Sequence, residues 1–273
     1  MLKKVTVLLF ALMFTTLLHA QEERKAPTID WKSGPVKVSL GSQAEIDLPT
    51  GYVFADGADS RKIMEYFGNQ PTDLEQGYVE PADNSDWYVI FEFEDSGYIK
   101  ADGEELDADA LFKSLQEGSK AGNEWRREHG LPELTLVSWH EKPHYDPKTN
   151  NLEWGTVNES EGQKVINYNI RLLGREGVMS ATIVASPEKM TQAITATKSL
   201  LQKYDFKGGK KYSEWREGDK IAEYGLAALI TGGAVVAASK SGLLSKFWKL
   251  IVVGIAAAGG LLKTFWKKIT GKE

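Results

Sequence analysis

The stretch Leu250–Leu262 contains no charged side chain, and an aromatic pair closes it at each end, Phe247–Trp248 before it and Phe265–Trp266 after it. A chain with such a stretch must hide it from water, in a core or in a bilayer. The two tryptophans are 18 residues apart, about 27 Å of helix, close to the hydrocarbon thickness of a membrane. Phe and Trp at both edges form the belt expected at the two interfaces. Lys249 and Lys263 stand just inside the belts, where their long stems let the ammonium groups reach water. Seven lysines between 240 and 273, against the single acid Glu273, argue against a core helix. Residues 247–266 therefore read as a transmembrane helix in a lipid bilayer, with a basic tail over 267–273.

An earlier apolar, glycine-rich segment covers 224–244 and is interrupted by Gly232–Gly233 and Lys240. Its charge-free part, Gly225–Ser239, is too short to span a bilayer unaided. Two architectures follow. Either one helix crosses and the earlier run lies at the interface or against the soluble body, or both cross as a hairpin. A single crossing is the preferred expectation. Gly254 and Ala258 form a small-xxx-small pair that lets helices pack closely, a route to a homo-oligomer. At the other end, residues 1–20 read as a secretory signal peptide. Lys3 and Lys4 supply its positive start, Val5–Leu18 its apolar run and Ala20 its small terminal residue.

Charge separates the ends from the middle. Of 33 basic and 38 acidic side chains, nine basic ones and one acid lie in 1–20 and 240–273, which leaves 24 basic and 37 acidic between. An acidic body repels nucleic acid, so no nucleic-acid partner is expected. The chain has no cysteine, which excludes disulfides, zinc ribbons, iron–sulfur clusters and a thiol nucleophile.

After a polar lead-in over 21–35, residues 36–205 carry the pattern of an exported α+β domain. Val36–Leu40 and Ala44–Leu48 alternate around Gly41–Ser42 as a hairpin does. Tyr52–Phe54, Tyr78–Glu80 and Trp87–Phe93 read as strands, and Ser60–Phe67 as a short helix stopped by Gly68 and Pro71. Asp107–Arg127 has one helical face through Ala108, Leu111, Leu115, Gly118 or Ser119, Gly122 and Trp125. Leu134–Trp139, Leu152–Val157, Lys164–Leu173 and Val178–Ala185 are strands joined by turn residues, which favours antiparallel pairing. Ser186 and Pro187 open a helix that the spacing carries to Tyr204. Residues 206–223 read as a linker. The fold class is α+β, antiparallel sheet or sheets with packed helices.

The chemistry in this pattern is sparse. His140-Glu141-Lys142-Pro143-His144 matches H-E-x-x-H, but that motif holds zinc only on a helix. Pro143 and the preceding strand pattern contradict a helix there, so the expectation is a strand end followed by a proline turn. His140, His144 and Asp146 remain ligand candidates, and Trp139, Tyr145 and Trp154 a candidate stacking surface for a glycan or peptide. Acids crowd 92–109 without the spacing of a calcium loop, which reads as a solvated acidic edge leading into a helix. No G-x-S-x-G, P-loop or dinucleotide fingerprint occurs. No catalytic residue, metal or cofactor is assigned.

Several stretches resemble a bacterial membrane-anchored family of unknown function, the domain of unknown function 2167. They are GYVFADGADSRK at 51–62, DWYVIFEFEDSGYIK at 86–100, the helix from Asp107, WHEKPHYD at 139–146, VINYNIRLLGREG at 165–177 and the run from Tyr224 to Gly233. The resemblance implies an exported domain held by a C-terminal membrane segment, on the outer side of the cell membrane (the inner membrane where there are two). It implies no activity. The leading expectation is a non-enzymatic binding or scaffolding module that contacts an envelope protein or glycan. The alternatives are an envelope hydrolase or transferase using Trp139–Asp146, and a membrane-complex subunit working through its C-terminal helices.

Overall fold

The computed structural model describes residues 26–232 apart from positions 71, 84 and 102. The expected signal peptide, the belt residues Phe247, Trp248, Phe265 and Trp266, and the Gly254–Ala258 pair lie outside the described residues. No helix among the described residues is long and apolar enough to cross a membrane.

Among the described residues, eleven strands and four α-helices follow in chain order: β1 (Lys32–Ser33), β2 (Val36–Leu40), β3 (Ala44–Leu48), β4 (Tyr52–Asp56), α1 (Gly57–Tyr66), β5 (Glu75–Pro81), β6 (Trp87–Glu94), α2 (Ala108–Glu128), β7 (Thr135–Asp146), β8 (Asn151–Ser160), β9 (Gln163–Leu173), β10 (Val178–Ala185), α3 (Pro187–Leu201), β11 (Tyr204–Phe206) and α4 (Leu226–Thr231). Eight strands form one sheet in the order β1-β4-β5-β6-β10-β9-β8-β7, and β11-β3-β2 form a second, three-stranded sheet. Every ladder between these strands is antiparallel, as the short turns between apolar runs require. The fold is α+β.

Side-chain alternation gives the large sheet two buried faces. On β10, Met179, Ala181 and Ile183 join the cluster that α3 covers with Met190, Ala193 and Leu200, and the small sheet closes it with Leu40, Ile46 and Leu48. The other face is roofed in two places. Ile63 and Met64 of α1 pack on Tyr78, Tyr88 and Ile90, while α2 and α4 pack Leu111, Leu115, Leu229 and Ile230 over Leu152 and Trp154. Carboxylates start both long roof helices: Asp56 accepts from the Ala58 and Asp59 amides, and Asp107 from those of Asp109 and Ala110.

Four segments differ from the sequence expectation. Lys32 and Ser33, inside the lead-in, pair with β4, and Trp31 packs on Tyr78. The strand expected to stop at Trp139 continues to Asp146 through two register shifts. An edge strand tolerates Pro143, because one side of its backbone has no ladder to complete. The α3 helix stops at Leu201, and Tyr204 instead pairs with Ile46. The expected linker is fastened to the body: Arg175 donates from Nε and Nη2 to the two carboxylate oxygens of Asp219, each at 2.7 Å, and from Nη1 to the Gly209 carbonyl. Arg175 holds the Asp219 carboxyl down at about 2, helped by the Arg216 amide. This pairing is expected to be complete above pH 4 and lost as the pH falls toward about 2. Proteolysis across 206–223 should then accelerate on acidification in the wild-type chain but be fast at all pH values in Asp219→Asn.

Tight approach at one glycine gives a second check. A Cβ on Gly177 would overlap the Glu94 carbonyl oxygen, a backbone atom that cannot rotate away. Gly177→Ala is expected to cost about 1–3 kcal/mol, the usual range for overpacking, read from denaturant unfolding.

Candidate functional site

The helix-covered face of the large sheet has a polar centre. Register places Glu92, Ser180 and Arg171 in one row across β6, β10 and β9. The next row holds Thr182, Asn169 and Trp154, and the one after it Asn167 and Thr156. Asn158 lies one step further along β8. All of these side chains are buried, although alternation in each strand alone would send them to solvent.

What buries them is α2. Ser119 Oγ and Asn123 Nδ2 both donate to the Leu134 carbonyl, and Asn123 Oδ1 accepts from the Leu134 amide. Arg126 Nε donates to the Pro132 carbonyl at 2.6 Å. These bonds fix α2 above the start of β7 and leave a cleft of about 60 Å³ between α2, α4 and the sheet, walled by Leu115, Leu136, Trp154 and Ile230 and floored by Asn167, Asn169, Arg171 and Thr182. One buried water needs about 10–15 Å³ by this measure, so the cleft holds a group of about four to six heavy atoms.

The charges in the cleft are mostly cationic. Arg171 is 8% exposed and Arg126 3%, and neither Nη1 has a hydrogen-bond partner among the described residues. The Arg171 guanidinium lies over the Trp154 ring, 4.9 Å from its centroid, which holds it in place by a cation–π contact. Glu92, across Ser180 from it in the same row, has its carboxyl pushed up to about 7 by burial, with Glu75 and Glu94 adding to the rise and Arg171 opposing it. Near neutral pH the arginine charge is thus only partly balanced. Two amides on the floor bond to threonine hydroxyls: Asn158 Nδ2 donates to Thr156 Oγ1 at 3.1 Å, and Asn169 Oδ1 accepts from Thr182 Oγ1 at 3.3 Å. The arrangement can grip a small anion or polar group, and the described residues that line it include no histidine or carboxylate.

The sequence candidates lie along β7 and β8. Trp139, Tyr145 and Trp154 do come together, in the apolar cluster under α2. Trp139 Nε1 donates to the Ala108 carbonyl and its ring meets Phe112 at 5.3 Å. Tyr145 donates to Asn150. His140 points to the opposite face, edge-on to Tyr168 at 6.4 Å. His144 is exposed and pairs with Glu141 at 3.3 Å, and Asp146 accepts from the Lys148 amide and Thr149 hydroxyl in the following turn. The H-E-x-x-H residues therefore lie on a strand and not on a helix. Among the described residues, no three His, Asp or Glu side chains group to hold a metal.

The acids between 92 and 109 are not one solvated edge. Glu92 is buried, Glu94 accepts from Tyr224, Asp107 caps α2, and Glu104 accepts from the Leu226 and Ala227 amides to cap α4. Of the cleft residues, Trp154 alone was among the sequence candidates, and as part of a different surface. The usable signal was collective: amide and hydroxyl side chains at alternate positions on adjacent strands, facing the Ser119–Gly122 side of α2.

The cleft thus lies under a helix, in a two-sheet α+β domain with helices on both faces of its larger sheet. By sequence the chain belongs to a family described as a protein of unknown function, DUF2167, whose model matches residues 32–262. No curated protein matches it. Among solved structures it is similar to the cyanobacterial PsbP (CyanoP) from Synechocystis sp. PCC 6803, at 8% identity over 69% of this chain and 98% of that one, TM-score 0.36. It is also similar to the Ran-binding protein Mog1p of Saccharomyces cerevisiae, at 11% identity over 69% of this chain and all of the other, TM-score 0.36.

Proposed function

We propose that the protein is a membrane-tethered binding module of the bacterial envelope, not an enzyme, and that the cleft between α2, α4 and the sheet is its ligand site. The observation that carries this reading is the buried polar floor with two arginines in hydrogen-bonding deficit, a costly arrangement for a core and a useful one for a site. The tether is supported by the aromatic belts around 247–266 and the basic tail, and export by the pattern of residues 1–20. The acidic domain then stands on the extracytoplasmic side, with the bilayer as one partner and an envelope protein or glycan as another. The Gly254–Ala258 pair gives the membrane segment a face for self-association.

The test uses the full chain, purified from native membranes into bilayer nanodiscs and released for native mass spectrometry. A small-molecule adduct is expected on the wild type and absent from Ser119→Trp, which fills the cleft from the helix side. Identical spectra for the two proteins would count against the binding module. A reporter active only in the cytoplasm, fused after Glu273, should be active if the chain crosses once after export.

A further inference from the structure

We infer that the cleft is a site for the carboxylate of a small organic molecule, gripped between Arg171 on the sheet and Arg126 on α2. This rests on reading the cleft as a binding site and goes on to name the class of ligand. Both guanidiniums are more than nine-tenths buried, line the same cleft and keep an Nη1 that has no partner among the described residues. A buried N–H without an acceptor loses its water and gains nothing in return, so each is stabilised by any acceptor that enters. An anion is the acceptor that also answers the charge, and a planar carboxylate matches the guanidinium fork.

Size and surroundings choose among anions. The volume admits about four to six heavy atoms, the size of a short carboxylic acid or of phosphate. Leu115, Leu136 and Ile230 on the walls favour an anion with an apolar end. The nearby acids disfavour a second negative charge: Glu92 shares a row with Arg171, with Ser180 between them, and Glu94 and Glu75 act on Glu92, with Glu75 itself near Arg61 of α1. A monocarboxylate fits where doubly charged phosphate is repelled. Because Glu92 competes for Arg171 when ionised, the carboxylate should bind more tightly below neutral pH.

Calorimetric titration of the full chain in nanodiscs, with empty nanodiscs as the blank, tests this using three probes of equal size: propionate, propionamide and inorganic phosphate. Propionate is expected to bind at least tenfold more tightly than either other probe, and several-fold more tightly at pH 6 than at pH 8. Arg171→Met should weaken propionate at least tenfold, as should Arg126→Met, which serves if the first variant does not fold. The inference is overturned if propionamide matches propionate, if phosphate is preferred, if the arginine variants bind as the wild type does, or if propionate fails to bind. Failure of propionate with an adduct still present in the wild type and lost in Ser119→Trp would remove the carboxylate alone and leave the binding module standing.

Discussion

Acidification from pH 8 to pH 5 is expected to stabilise the folded chain by about 5 kcal/mol. The cause is a pair of buried carboxyls. Burial pushes Glu80 up to about 7, although the Tyr78 hydroxyl donates to its Oε2 at 2.8 Å and pulls the other way. Glu80 Oε1 has no partner among the described residues. Glu92 is raised to a similar value by burial. A carboxyl raised from its ordinary 4.5 keeps its proton in the native chain after the unfolded chain has released it. Stability is therefore greatest below 4.5, falls as the pH rises through 7, and levels off above. A tenfold change in proton affinity on folding is worth about 1.4 kcal/mol, so each group contributes about 3 kcal/mol over the full window. Glu80→Gln and Glu92→Gln should each remove about half of the slope, raising stability at pH 8 by about 2 kcal/mol and changing it little at pH 5. Thermal unfolding across this range checks it; a flat profile in the wild type would show that neither carboxyl is desolvated in the native state. Asp219 and Asp59, whose carboxyls are lowered, act in the opposite sense and below pH 4, so the two effects do not overlap.

The fold was legible wherever one strand's pattern met one neighbour. The alternation of Val36–Leu40 and Ala44–Leu48 around Gly41 gave the β2–β3 hairpin, and the turns between 146 and 178 gave the meander β7 to β10. What local pattern missed was pairing across distance. Tyr204 sits at a helical spacing from Leu201 and Leu200, yet β3 needed a third strand, and Tyr204–Phe206 supplies it. The Gly- and Lys-rich stretch after it looks like a link because its composition is that of one. Its attachment depends on contacts distant in sequence, such as Arg175 with Asp219, 44 positions apart, and Tyr212 with the Ile99 carbonyl, 113 apart.

The site was hidden by the same alternation that revealed the strands. In Val165–Leu173, Ile166, Tyr168 and Ile170 are core residues on the α3 side, so Asn167, Asn169 and Arg171 take the role of the wet face. That inference is sound for a sheet covered on one side only. Here α2 lies across the second face, and its own sequence hinted at this: a roof helix with Ser119, Gly122 and Asn123 turned inward can approach a polar floor that a leucine face would reject. Aromatic residues drew attention to Trp139, Tyr145 and Trp154 instead, and of these Trp154 does border the cleft, beneath Arg171.

Phe91→Ala is expected to cost about 3–5 kcal/mol, a large share of a stability of about 5–15 kcal/mol. Phe91 lies in the middle of β6, wholly buried in the cluster shared by α3 and the small sheet. Its partners across the two ladders are Gly77 and Ala181, whose small side chains leave the ring its space and cannot move in to fill it. Gly77 cannot be enlarged to compensate, because a Cβ there would strike Phe54 and Leu40. The hole would therefore stay open, and residual cavity volume sets the size of the loss. Val137→Ala on the exposed edge strand should change stability by less than about 0.5 kcal/mol in the same unfolding assay. Arg171→Met makes the sharper contrast. It removes a buried, under-bonded charge from the opposite face of the sheet, and such replacements are often neutral or stabilising. A chain that loses stability at Phe91 but not at Arg171 has a core built for packing on one face of its sheet and a floor kept polar at a cost to stability on the other.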